Sequence, residues 1–258
     1  MKLTEGKILN NIRGILFDKD GTLLDFNAMW LPVANELISE TLRELVRISN
    51  PGIEESMYRS IGISQGKIDS RGVYAHGTAG DVADAFIKVL ENYNIDIGDI
   101  SVFRKQVIVK YNAIAKDEKR EIFPTTDLLA LFECLKRQGI YIGVSTADTE
   151  ESTKNCLKRL GVYECFDFIG SDNGRLRRKP HPDLIMEFCR ICGLEPQEVA
   201  VVGDTVLDMT FARNGKAGCA IGVLSGVGLE HELRKLADVV YPSIEYLMCE
   251  AEAGEKVV

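Results

Sequence analysis

The 258-residue sequence contains no apolar run near the ~20 residues that a membrane-spanning helix needs. It also lacks any basic run of five or more residues; its densest cationic cluster is residues 175–179. Lys and Arg total 31 against 39 Asp and Glu, for a formal net charge of -8. Nucleic-acid affinity comes mostly from neutralising phosphates, so an acidic chain is poorly suited to that partner. Membrane and nucleic acid are therefore set aside. The seven cysteines form no even, closely spaced set; they are scattered and several sit in apolar stretches. They read as reduced thiols in a cytoplasmic protein rather than a disulfide framework. The opening MKLTEGKILNNIRG lacks an uninterrupted apolar core and a small-residue cleavage site, so no signal peptide is expected. There is no internal repeat and no low-complexity stretch. With 45% hydrophobic and 27% charged residues, the composition excludes a disordered or fibrous chain. The length suits one large domain, or a core carrying an insertion.

What is present is a series of short apolar runs that end abruptly in polar turns. Residues 12–17 (IRGILF) end in Asp18-Lys19-Asp20-Gly21-Thr22, residues 140–144 in Ser145-Thr146, residues 166–169 in Gly170-Ser171-Asp172, and residues 199–202 in Gly203-Asp204. Further strands are expected at 219–223 and 238–241. Helical patterns over 127–138, 151–160, 182–192 and 207–214 each close at a glycine, a common helix stop. This alternation predicts an α/β fold, a doubly wound, Rossmann-like parallel sheet. Ligands in such sheets bind at the carboxyl ends of the strands, where the turns at Asp18, Ser145 and Asp204 all fall. Between the first two strands the pattern is helical instead, at 30–48, 54–61, 81–93 and 100–116, with no convincing strand among them. Some 95 residues are too many for an ordinary crossover. They predict a helical cap domain at 26–117, inserted in a core formed by 1–25 and 118–258, with hinges near 25–27 and 119–124. The tail AEAGEKVV is expected to fray.

Each polar turn has a plain reading and a chemical one. Asp18 and Asp20 leave a strand at alternate positions and can project to one side, with Lys19 turned away. Such a pair suits a divalent cation or a nucleophile with a general acid/base, although Asp-Gly-Thr is also common turn chemistry. Asp204 and Asp208 are four apart at the start of a helix and can face one point, although Asp is favoured there as a cap alone. Ser145 can offer its hydroxyl and the backbone N–H groups after it to a phosphate oxygen, or merely begin a helix. Lys179, held by Pro180-His181-Pro182, can balance a buried anionic site or lie in solvent.

Their order and phasing together resemble the four motifs of the haloacid dehalogenase-like (HAD) superfamily: Asp-x-Asp-Gly-Thr, a strand-end Ser/Thr, a Lys, and Gly-Asp-x-x-x-Asp. The likeness runs from Ile12 to Leu247. The segments FDKDGTLLD, GSDNGRLRRKPHPDL, VVGDTVLDMTFARNGKAG and IGVLSG look most like the phosphoglycolate phosphatase-like subgroup. The resemblance implies a Mg²⁺-dependent phosphatase acting on a small phosphorylated metabolite through an aspartyl-phosphate. Asp18 would be the nucleophile and Asp20 the general acid/base. Mg²⁺ would be held by Asp18, the backbone carbonyl of Asp20, and Asp204, with Asp208 orienting that shell. Ser145, Thr146 and Lys179 would grip the phosphoryl oxygens. The helical insertion would be a cap whose segment 64–78 selects the leaving group, with Lys67, Arg71 and His76 as candidates. A monomer or homodimer is expected. Two departures stand out: Thr146 replaces the frequent Asn, and Lys19 the frequent aromatic, the latter expected to matter little for chemistry. Asp20 favours phosphoryl transfer over dehalogenation, which has no leaving alkoxide to protonate.

Other signals carry less. Cys189 and Cys192 form a CxxC in a helical pattern without a second ligand pair, which reads as core. Trp30 reads as hinge or interdomain packing, and His231 has no obvious partner. The glycine-rich stretch 222–228 lacks a P-loop lysine and reads as a loop near the site. Rival readings are a phosphonatase, which needs a cap lysine such as Lys67 for a Schiff base, a sugar-phosphate mutase, and a non-catalytic regulatory protein on the same fold.

Overall fold

The computed structural model describes residues 8–45, 51–69, 71–115, 117, 120–172 and 174–248. The opening residues, Cys249 and the tail expected to fray lie outside them. In chain order, β1 (Gly14–Asp18) is followed by α1 (Phe26–Leu45), α2 (Pro51–Ser60), β2 (Ile63–Ser64), β3 (Lys67–Ile68), α3 (Val73–His76), α4 (Ala79–Asn92) and α5 (Ile100–Ala115). Then come α6 (Leu128–Arg137), β4 (Tyr141–Thr149), α7 (Glu150–Arg159), β5 (Phe168–Asp172), α8 (Asp183–Cys192), β6 (Val199–Gly203), α9 (Val206–Asn214), β7 (Cys219–Val223), α10 (Glu230–Leu233) and β8 (Val239–Tyr241).

The chain divides into two compact units, Met1–Phe26 with Ile122–Val258, and Asn27–Glu121. The first unit is built on a six-stranded sheet of order β5-β4-β1-β6-β7-β8. Every neighbouring pair in it is parallel. Alternate side chains of a strand face opposite layers, and the core sorts accordingly. Ile15 and Phe17 join a cluster with Leu131, Phe132 and Leu157 from α6 and α7. Leu16 joins one with Ile185, Phe188, Met209 and Phe211 from α8 and α9. Helices thus cover both faces, which is why the strands read as continuous apolar runs rather than alternating ones. The strand order reverses at β1, flanked by β4 and β6, and that is where such sheets open a crevice.

Both ends of the insertion are tied to this unit at one place. Leu24 bridges Pro124, Asp25 N–H donates to the Phe123 carbonyl at 2.9 Å, and Thr125 N–H donates to the Leu23 carbonyl at 2.9 Å. The second unit is mostly helical, and α4 lays Val82, Ala83, Phe86, Ile87 and Leu90 into its interior. It also contains strands that the sequence reading left out, the ribbon β2–β3. Ser64 pairs with Lys67, and the connecting Gln65 and Gly66 have φ of 49° and 69°, the left-handed backbone that a two-residue hairpin requires. Two-residue strands show no periodicity, so only the buried Ile63 and Ile68 betray the pair.

Candidate active site

Three adjacent strands deliver the chemistry. Asp18, last in β1, is level with Ser145 in β4. Phe17 is level with Val202 in β6, so Asp204, two residues on, emerges at the same edge. β4 runs past the expected stop at Ser145 to Thr149, with an irregularity in its pairing to β5 between those two residues. Lys179 arrives on the loop before α8, preceding Pro180 through a cis peptide bond.

The side chains converge. Lys179 Nζ donates to Asp18 Oδ1 and to Asp208 Oδ1, each at 2.7 Å. Carboxylate oxygens of Asp18, Asp204 and Asp208 all lie within 4.8 Å of one another. Asp208 is also the N3 residue of a capping box on α9, accepting from Thr205 N–H at 3.1 Å and Thr205 Oγ1 at 2.5 Å through Oδ2. The capping role and the site role therefore coexist on its two oxygens.

Burial sets the electrostatics. It pushes the Asp18 carboxyl up to about 7; Lys179 pulls the other way and Asp208 adds to the rise. Asp204 is raised well above the usual carboxylate range, by burial first and then by Asp18 and Asp208. Lys179 is held above its ordinary value: burial opposes its charge, but Asp18 and Asp208 outweigh it.

Asp204 Oδ1 is buried without a hydrogen-bond partner, whereas Oδ2 accepts Val227 N–H at 2.8 Å. A buried carboxylate oxygen left without a donor costs free energy unless a cation meets it. The three-acid cluster with this orphaned oxygen fits a hard divalent cation, which takes oxygen ligands. The glycine-rich loop is what seats Asp204. A Cβ on Gly226 would stand 1.9 Å from Asp204 Oδ2, and one on Gly21, whose φ is +87°, 2.6 Å from it. Ser225 Oγ donates to the Gly21 carbonyl at 2.8 Å, tying that loop to the Asp-Gly-Thr turn. Proximity of 222–228 to the site was legible as a glycine run after a buried strand; the grip of Val227 on Asp204 was not.

The remaining candidates distribute unevenly. Ser145 is fully buried, and its hydroxyl reaches the Phe17 carbonyl only at 3.5 Å, so its proton is weakly engaged. Thr146 is buried and its Oγ1 accepts Asp148 N–H at 3.2 Å. The Asp20 carboxylate stands outside the three-acid cluster and pairs with Lys19 Nζ at 2.7 Å. Lys19, expected to have little bearing on the chemistry, places its ammonium against the second acid of the motif. β1 ends at Asp18, so strand alternation no longer orients the next residue. The chain turns there, with Leu23 and Leu24 N–H donating to the Lys19 carbonyl.

Lys67, Arg71 and His76 belong to the inserted unit. Lys67 lies exposed on β3, Arg71 N–H donates to Asp69 Oδ1 at 2.9 Å, and His76 ends α3. Trp30 packs edge-to-face on Tyr74 inside that unit, with ring centroids 6.4 Å apart. Burial pushes the Cys189 and Cys192 thiols up to about 11, the direction expected of thiols packed among apolar side chains. His231 is exposed.

Comparison with known proteins follows the same outline. The family model described as haloacid dehalogenase-like hydrolase matches residues 12–216. A phosphoglycolate phosphatase of Aquifex aeolicus is 27% identical over 224 residues, covering 86% of this chain and 90% of that protein. The phosphoglycolate phosphatase of Escherichia coli K12 is 26% identical over 253 residues, covering 92% of each. Among solved structures, a β-phosphoglucomutase from Clostridium difficile superposes with a TM-score of 0.53 at 18% identity, covering 95% of this chain and 99% of the other. At that identity the likeness speaks to the fold alone.

Proposed function

The chain belongs to the haloacid dehalogenase-like hydrolases, and from that membership we propose that it is a Mg²⁺-dependent phosphatase of small phosphate monoesters, working through an aspartyl-phosphate on Asp18. The observation that carries this reading is the single ammonium of Lys179 shared between Asp18 and Asp208 at 2.7 Å each, beside Asp204. Three carboxylates and one ammonium leave an excess of negative charge that a dication would balance. Asp18, Asp204 and the backbone carbonyl of Asp20 would hold Mg²⁺, with Asp208 orienting the shell. Bound there, the ion would neutralise phosphoryl oxygens and keep the nucleophile ionised.

Asp18 attacks phosphorus as a carboxylate, and the ester P–O bond breaks as Asp20 gives its proton to the leaving oxygen. Water then attacks the aspartyl-phosphate, surrenders a proton to the Asp20 carboxylate, and releases phosphate and free Asp18. Lys179 holds Asp18 in place and meets phosphoryl charge as it develops. Ser145 and Thr146 orient the phosphoryl oxygens. The inserted unit is proposed as the cap, with Lys67, Arg71 and His76 its candidates for choosing the leaving group. The phosphoglycolate phosphatases among the relatives support a small anionic metabolite as substrate, and the free thiols of the six cysteines among the described residues support a reducing, cytoplasmic setting. No helix among the described residues is long and apolar enough to cross a membrane.

The test is hydrolysis of p-nitrophenyl phosphate with Mg²⁺. Wild type is expected to release phosphate, and Asp18→Asn to lose at least about a thousandfold in rate, as for other nucleophile deletions. An Asp18→Asn variant as fast as wild type would sink the mechanism. A phosphomutase on this fold would instead move phosphate between hydroxyls of one sugar and release little, which a phosphate-release assay over a metabolite panel separates.

A further inference from the structure

Lys19 is the charged group beside the site that the reaction scheme above does not use. It is only 5% exposed, although it carries an ammonium. A buried cation persists only where it is paired, and two carboxylates meet this one: Asp20 Oδ2 at 2.7 Å and Asp148 Oδ2 at 3.0 Å. Cys156 is its other ionisable neighbour, and burial keeps that thiol protonated. Asp148 itself is fixed at the far end of the extended β4, where its N–H bonds Thr146 Oγ1 at 3.2 Å and its carboxylate accepts Ser152 Oγ at 3.3 Å.

We propose that Lys19, braced by Asp148, is a positioning residue for the general acid/base Asp20: it clamps Oδ2 and leaves Oδ1 as the oxygen that exchanges the proton with the leaving group and then with water. The inference rests on the phosphatase reading. A carboxyl on a turn is free to rotate about its last bond, and each rotamer aims its proton differently. An ammonium held by a second carboxylate restricts that freedom. Misplacement of a reacting group by about 1 Å can cost on the order of a hundredfold in rate. Asp148 also shares the ammonium, so Lys19 is not neutralised by Asp20 alone. Thr146 acquires a purpose in this arrangement, since its hydroxyl holds the backbone of Asp148.

The test measures kcat/KM over phosphate monoesters whose leaving groups run from 2,4-dinitrophenol through phenol to a simple alcohol. Leaving groups that depart as stable anions need no proton, and poor ones do. Lys19→Met is expected to lose about 10- to 100-fold on the alkyl ester and under about threefold on the dinitrophenyl ester, a steeper dependence on leaving-group basicity than wild type. Asp148→Asn, a change at a more exposed side chain, should steepen it in the same direction by a few-fold. In an Asp20→Asn background Lys19→Met should add under about twofold. Equal losses across the series, or an Asp148→Asn profile parallel to wild type, would overturn the positioning role while leaving the phosphatase reading intact. A wild type silent on the whole series would instead remove the phosphatase reading, and this inference with it.

Discussion

At the scale of single residues, burial raises two acids of the site, Asp18 and Asp204, above the usual carboxylate range. The folded protein keeps a proton on Asp18 up to about pH 7, whereas an unfolded aspartate, with its ordinary value of 3.8, has released it well below that. Between those limits the folded state binds more protons through this group, so the contribution of Asp18 to stability is full at the acid end and is lost as pH rises through that range. Metal-free wild type should therefore lose ground to Asp18→Asn by roughly 1–3 kcal/mol between pH 4 and pH 7 in denaturant titrations. Asp204, raised by the same burial, acts in the same direction. A dication needs the deprotonated acids, so thermal stabilisation by millimolar Mg²⁺ should be small at pH 5 and largest above pH 7. A stabilisation independent of pH would contradict the assignment of these acids as ligands. Asp18, Asp20, Ser145 and Asp204 were readable as polar residues that follow strand ends, Asp208 from its spacing to Asp204 and Lys179 from the Pro-x-Pro after it, and together through the resemblance of their order to a known motif set. The contacts of Lys19 and of Val227 were not readable, because both depend on how a turn folds back rather than on a period of two.

At the scale of elements, α9 shows how a local rule and a site requirement reinforce each other. Thr205 caps the helix through Asp208 N–H and grips the carboxylate that Lys179 also holds. Thr205→Ala should lower stability by about 0.5–2 kcal/mol, the usual cost of a lost cap. It should also weaken Mg²⁺ affinity, by a few-fold in calorimetry, because Asp208 loses its anchor. Thr205→Ser should restore both. The helices and buried strands of the first unit were legible from apolar runs closed by glycine. The extension of β4 to Thr149 was not: Thr149 pairs with Asp172 of β5 beyond an irregularity that begins after Ser145, and no sequence period marks such a break. The ribbon β2–β3 escaped for a related reason, since the segment around Gln65 and Gly66 is polar and short, and its two buried isoleucines are too few to make a pattern. Trp30 read as hinge or interdomain packing; one contact of its ring is with Tyr74 of the same unit.

At the scale of the whole molecule, the two ends of the insertion meet in hydrogen bonds within the first unit, at Asp25 with Phe123 and at Leu23 with Thr125. The loop that 27–121 occupies can therefore be closed by a short linker without disturbing the sheet. Replacing those residues with a few Gly and Ser should leave a protein that unfolds cooperatively by circular dichroism and keeps its Mg²⁺-dependent thermal shift. Its preference among metabolite phosphates should largely disappear. A product that does not fold would show that the core depends on the insertion for stability.

The same topology fixes a timetable during synthesis. β1 is made early, but its neighbours β4 and β6 begin at Tyr141 and Val199. At translation rates of about 5–20 residues per second, the strand carrying Asp18 waits roughly 6–25 seconds for its first hydrogen-bonding neighbour. The second unit, contiguous in sequence, can finish folding within that interval. Asp18 is thus translated early and gains its strand neighbours only once β4 and β6 have been made.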